Sequence, residues 1–123
     1  MTLVDSSIWI DHIRMSDAVL AGLIDRRQVL VHPFVIGEIA LGAIRTRAAV
    51  LAALGELPSS PIASHAEVVH MIEEHRLYGR GVGYVGAHLL AAARLRRATL
   101  LWTRDRRLHA IADELGVAAR VVH

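Results

Sequence analysis

The sequence predicts an α/β fold, a three-layer α/β/α sandwich built on a five-stranded parallel sheet. Short, continuously apolar runs recur along the chain, and they are too uniformly apolar to be half-exposed antiparallel strands. Segments of helical period lie between them, and strands that alternate with helices pack as a parallel sheet with right-handed crossovers. The 123 residues, 54% of them hydrophobic, fit one domain spanning residues 1–123, and no repeat or low-complexity stretch divides it.

Each element has its own signal. The expected strands are residues 2–4, 29–31, 62–63, 99–102 and 120–122. Asp5 ends the first and is placed to cap a helix that begins near Ser6 and Ser7. Residues 16–27 carry Val19, Leu20, Leu23 and Ile24 on one helical face. Residues 33–44 open with Pro33 in the first turn, where a missing N–H costs nothing, and residues 47–57 continue the helical period. Ser64 with Glu67 forms a capping-box pattern before Val68 and Val69, which starts a helix over residues 64–78. Residues 87–97 and 106–115 complete the set, the last capped by Asp105 and stopped by Gly116.

Composition excludes several classes. The absence of cysteine removes disulfide scaffolds and Cys-ligated zinc or iron–sulfur sites. Neither a basic leader nor an apolar stretch of spanning length is visible, so a soluble, cytoplasmic protein without membrane contact is expected. The 14 basic residues are all arginine and, against 12 acids, leave a net charge of +2. Six of them, Arg94, Arg96, Arg97, Arg104, Arg106 and Arg107, fall within residues 94–107, so the basicity is local. Arg104, Arg106 and Arg107 flank Asp105 and are the preferred phosphate contacts, with plain surface charge as the alternative, whereas Arg94 and Arg97 suit a solvated helix end. An Arg- and Ala-rich, Lys-free chain also suits a bacterial genome of high GC content.

Parallel α/β sheets bind ligands beyond the carboxyl ends of their strands. Asp5 ends the first strand and Asp105 follows residues 99–102, so both belong at that edge, although either also suits a helix cap. The helical neighbours of Glu38 are Phe34, Val35, Leu41 and Gly42, which puts its carboxylate on an apolar face. A charge there must be neutralised, paired or bound to a cation, unless the helix is rotated so that Glu38 reaches the rim. Three acids converging on one edge supply hard oxygen ligands suited to Mg²⁺ or Mn²⁺.

Four segments in order, Leu3-Val4-Asp5-Ser6-Ser7, Glu38-Ile39-Ala40-Leu41-Gly42, Gly83-Tyr84-Val85-Gly86-Ala87-His88-Leu89-Leu90-Ala91 and Leu101-Trp102-Thr103-Arg104-Asp105, resemble PIN-domain ribonucleases. The similarity is greatest to the VapC toxins of bacterial toxin–antitoxin pairs. It implies a five-stranded parallel sheet and Mg²⁺- or Mn²⁺-dependent endoribonuclease activity that leaves a 5′-phosphate and a 3′-hydroxyl. Asp5, Glu38 and Asp105 would be the catalytic, metal-binding acids, with Ser6 and Thr103 as supporting hydroxyls. The implied partners are an RNA substrate, a VapB-type antitoxin that places a basic side chain among the acids, and a second copy in a homodimer. The family carries an Asp where this chain has Gly86, which leaves three acids and weakens divalent binding, above all of a second ion. A non-catalytic RNA- or antitoxin-binding protein is therefore the alternative.

Other signals were weighed against these. Gly81-Val-Gly83-Tyr-Val-Gly86 satisfies a dinucleotide-binding fingerprint, but the polar segment before it is no buried strand. His65, His70 and His75 turn about 140° from one to the next around a helix and cannot share a face, so solvated positions are expected. His88 sits close to the presumed site, where it could touch substrate, but a helix-surface position is the preferred reading. Trp9, Phe34, Tyr84 and Trp102 are too scattered for a base-stacking platform and are assigned to the core.

Overall fold

A computed structural model describes residues 1–121. It contains strands β1 (Thr2–Val4), β2 (Val29–Leu30) and β3 (Leu100–Trp102). The helices are α1 (Ser6–Arg14), α2 (Ala18–Asp25), α3 (Pro33–Ala40), α4 (Arg47–Glu56), α5 (His65–Glu74), α6 (Tyr84–Leu95) and α7 (Arg106–Glu114). The sheet is parallel with order β2-β1-β3, and Leu3 pairs with both Leu30 and Leu101. Leu3, Leu30 and Leu101 are fully buried, as expected for a parallel sheet covered on both faces.

The α/β class and parallel pairing match the expectation, but the described residues form three strands and not five. The two missing edges survive as single parallel bridges, Val31 with Ser59 and Leu101 with Ala118. On the first edge Pro58 and Pro61 lack the N–H that a longer ladder needs, and Ile62, expected within that strand, is 55% exposed. On the other, Gly116 turns the chain at φ +75° and pairing is confined to the amide of Leu101 with Val117 and the amide of Ala119 with Leu101. Val122, the end of the expected fifth strand, lies outside the described residues.

Helix caps follow the sequence closely. Asp5, Asp17, Ser64 and Asp105 each accept a hydrogen bond from an amide in the first turn of α1, α2, α5 and α7. His32 caps α3 less conventionally, through Nδ1 accepting the Phe34 amide at 3.0 Å. Helix α6 is the central one: Ala87 through Ala93 are buried without interruption, as in a helix enclosed on all sides. Its small residues let the sheet and α5 approach closely, and its first turn is thereby held at the carboxyl edge of the sheet.

Candidate active site

That edge forms a cleft of about 390 Å³ lined by Asp5, Ser6, Glu38, Gly86 and Asp105, with Val82–Val85 and Leu108 completing the wall. The acids reach it from the end of β1, from α3 and from the turn after β3. Asp5 does so because β1 stops at Val4 and its own amide continues the sheet, donating to the Trp102 carbonyl at 2.9 Å. Its carboxylate accepts from the Ser6 amide and from Thr103 Oγ1, each at 2.7 Å. Thr103 Oγ1 in turn accepts the Asp105 amide at 3.1 Å, so one hydroxyl ties two acid-bearing turns together. The expected supporting hydroxyls are thus both in contact with acids.

Of the two placements open to Glu38, the structure takes the rim. It is exposed at the rim, since α3 rotates Val35 and Ile39 into the core and leaves Glu38 outside. Partial burial nevertheless raises its pKa, a hydrogen bond from the Ser6 side chain opposes this, and the Asp5 charge adds to the rise. Ser6 therefore stands between two carboxylates that repel each other. Asp105 caps α7, with Oδ1 accepting the amides of Arg107 at 2.9 Å and Leu108 at 3.1 Å. Both readings of Asp5 and Asp105 hold together: they cap helices and they line the cleft.

A carboxylate offers about four acceptor sites, so Asp5 and Asp105 retain lone pairs beyond their caps. The donors are hard oxygens, and the Asp5–Glu38 repulsion is of the kind that a divalent cation relieves. Asp5 and Glu38 could hold such an ion as a pair. Among the described residues, however, no group of three or more His, Asp or Glu side chains stands close enough to hold a metal. Gly86, which lines the same cleft, supplies no carboxylate, and Asp105 Oδ1 is engaged by its own helix amides.

The arginines divide. Arg104 Nε pairs with Asp11 at 2.9 Å across a half-exposed surface. Arg107 is exposed and lies over Gly81, where φ is +81° and an added Cβ would collide with its guanidinium. Arg106 is exposed and has no acidic partner among the described residues. Sequence reasoning missed Arg80, which grips Glu114 with both terminal nitrogens, at 2.6 and 2.9 Å, and anchors the loop before α6 to α7. It also misplaced His88, which is buried in α6, because surrounding apolar residues and not the helix period alone decide its exposure. Of the four aromatic residues assigned to the core, Trp9 and Trp102 are buried, whereas Phe34 and Tyr84 are exposed. No strand precedes Gly81, so the glycine pattern lacks the strand-to-helix turn of a dinucleotide site.

Comparison with known proteins agrees with this architecture. The PIN domain family model matches residues 2–114. Ribonuclease VapC32 of Mycobacterium tuberculosis, from strain CDC 1551 / Oshkosh and from strain ATCC 25618 / H37Rv, is 46% identical over 118 residues. Those residues cover 96% of this chain and 95% of each relative. A parallel sheet whose carboxyl edge gathers Asp5, Glu38 and Asp105 in one cleft, together with these matches, places the chain in the PIN-domain family, as a VapC-type member.

Proposed function

We propose that the protein is a Mg²⁺- or Mn²⁺-dependent endoribonuclease, the toxin of a toxin–antitoxin pair acting in a bacterial cytoplasm. The observation that supports this most directly is the meeting of Asp5, Glu38 and Asp105, far apart in sequence, in one cleft. Asp5 and Glu38 would hold the cation, with Asp105 as the third acid lining the cleft. A divalent cation bound there lowers the pKa of water and screens charge on the phosphate. Ser6 and Thr103 fix the carboxylate orientations, which limits the rearrangement needed when RNA arrives. Arg106 binds a backbone phosphate, and Arg104 and Arg107 join it on releasing Asp11 and the Gly81 loop. The attacking water forms a bond to phosphorus as the bond to the 3′ oxygen breaks. The water's protons pass to solvent and to the departing oxygen, leaving a 5′-phosphate and a 3′-hydroxyl. A VapB-type antitoxin closes the same cleft, and the protein works as a homodimer.

The second reading, a non-catalytic RNA- or antitoxin-binding protein, is favoured by Gly86 and by the lack of a closed three-acid cluster among the described residues. Cleavage of total RNA during a Mn²⁺ titration separates the two. A Mn²⁺-dependent product that disappears in Asp5→Ala supports the enzyme. Saturable RNA or antitoxin binding without product supports the binder.

A further inference from the structure

Phe34 and Tyr84, fifty residues apart in sequence, are brought together by one buried imidazole. The His88 ring lies 4.7 Å from that of Phe34 and 4.6 Å from that of Tyr84, centroid to centroid, both edge-on. Each aromatic ring is braced on a further side. Phe34 meets the fully buried His32 at 4.9 Å, and Tyr84 meets His65 at 5.6 Å, with its hydroxyl 2.6 Å from His65 Nδ1. The result is a row of alternating imidazole and aromatic rings, His32, Phe34, His88, Tyr84 and His65. Burial lowers the pKa of both His32 and His88.

The exposure of these two rings is out of keeping with core packing: Phe34 is 37% and Tyr84 46% exposed. Their position matters more. Tyr84 lines the acid cleft itself, and Phe34 stands one helical turn before Glu38 on α3. Aromatic rings that are held by ring neighbours and still more than a third exposed lose little freedom when a flat ligand stacks on them. Nucleobases stack on aromatic side chains in a sequence-tolerant way, and only unpaired bases expose the face required. Two buried nitrogens of the row, His32 Nε2 and His88 Nδ1, have no hydrogen-bond partner among the described residues.

Resting on the nuclease reading above, we infer that Phe34 and Tyr84, braced by His88, form a stacking subsite for unpaired bases of single-stranded RNA beside the cleft. The subsite sets which stretch of RNA is drawn across the acids, so it acts on binding and register more than on the chemical step. A duplex, whose base faces are occupied, gains nothing from it.

The test uses the full chain with a short single-stranded RNA carrying 2-aminopurine, in EDTA so that nothing is cut. Binding to the parent is expected to quench the fluorophore. Tyr84→Ala and Phe34→Ala should each weaken binding on the order of tenfold and relieve the quenching. Tyr84→Leu, which keeps apolar bulk without a π face, should behave like Tyr84→Ala, whereas Tyr84→Phe, which keeps the π face and loses only the hydroxyl contact with His65, should still quench the fluorophore. Tyr78→Ala, an exposed aromatic outside the cleft, is the control and should change nothing. In the Mn²⁺ assay the Ala variants should raise KM with kcat nearly unchanged. If the parent binds the RNA and both Ala variants bind it equally well, the subsite is overturned while the nuclease reading stands. Loss of self-association in these variants with RNA binding intact also overturns it, in favour of a protein contact. A parent that neither binds nor cleaves RNA overturns both.

Discussion

At Gly86 the cleft wall is missing a side chain, and the surroundings say what adding one involves. A Cβ there would lie 3.0 Å from Val82 Cγ1 and 3.4 and 3.5 Å from the two Leu108 methyls. Val82 must give way by a few tenths of an ångström, a cost offset by the gain of about 1 kcal/mol from replacing a helical glycine. Gly86→Asp and Gly86→Ala should therefore both stay within about 1 kcal/mol of the parent in thermal melts. Only Gly86→Asp should raise Mn²⁺-dependent RNA cleavage, by roughly tenfold or more, because only it restores a ligand charge. Equal cleavage by the Asp variant and the parent would show that the missing carboxylate is not what limits activity. Thr103 gives a second residue-scale test, since its hydroxyl serves Asp5 and the Asp105 amide at once. Thr103→Val should cost about 1–3 kcal/mol in denaturant unfolding. It should also weaken Mn²⁺ binding by about 10–100-fold in calorimetric titration, with Thr103→Ser close to the parent.

Elements decide which of these residues meet. Asp105 stands in the cleft because it caps α7, and the two roles separate by substitution. Asparagine caps as well as aspartate, so Asp105→Asn should keep parental stability, whereas Asp105→Ala should lose about 1 kcal/mol. RNA cleavage should fall in both, and an Asn variant that cuts like the parent would reduce Asp105 to a cap. Both caps were legible in the sequence because an acid before an apolar helical period is a local signal. The first turn of α6 was not. Its start at Tyr84, three residues before the expected 87, follows from Gly83 acting as an extended N-cap, where three nearby glycines read as loop. Those three residues put Tyr84 and Gly86 into the cleft wall. The face of α3 was left open by the sequence: the helical neighbours of Glu38 are apolar, yet which of them turn inward depends on α1 and α4 packed against the helix, and Glu38 lies at the rim.

At the scale of the whole molecule, acid stability follows from a histidine buried in the neutral state. His32 is fully buried, and desolvation, followed by the nearby His88, lowers its pKa from 6.5 to about 4. A histidine with a depressed folded pKa binds its proton more readily once unfolded, so stability is complete above pH 6.5 and declines as pH falls toward 4. The loss at pH 4 is about 3 kcal/mol, from the 1.36 kcal/mol that one pKa unit represents. His32→Asn keeps an acceptor for the Phe34 amide and should remove most of that loss, even if less stable at neutral pH. Urea unfolding at pH 7 and pH 4 in both proteins reads it, and the comparison cancels the carboxylates common to both. Identical pH dependence would place the acid sensitivity elsewhere. No helix among the described residues is long and apolar enough to cross a membrane, which the sequence already indicated. By itself the sequence determined the α/β class, the parallel central strands and the caps at Asp5, Ser64 and Asp105, because continuous apolar runs, helical period and capping residues act locally. The family followed from the resemblance of four ordered segments. Only the tertiary structure decided that two edge strands shrink to single bridges and that Glu38 sits at the rim. It alone buried His88 and gathered Phe34 and Tyr84 around it. Exposure and juxtaposition at those positions depend on what packs from distant segments, and no spacing along one segment encodes that.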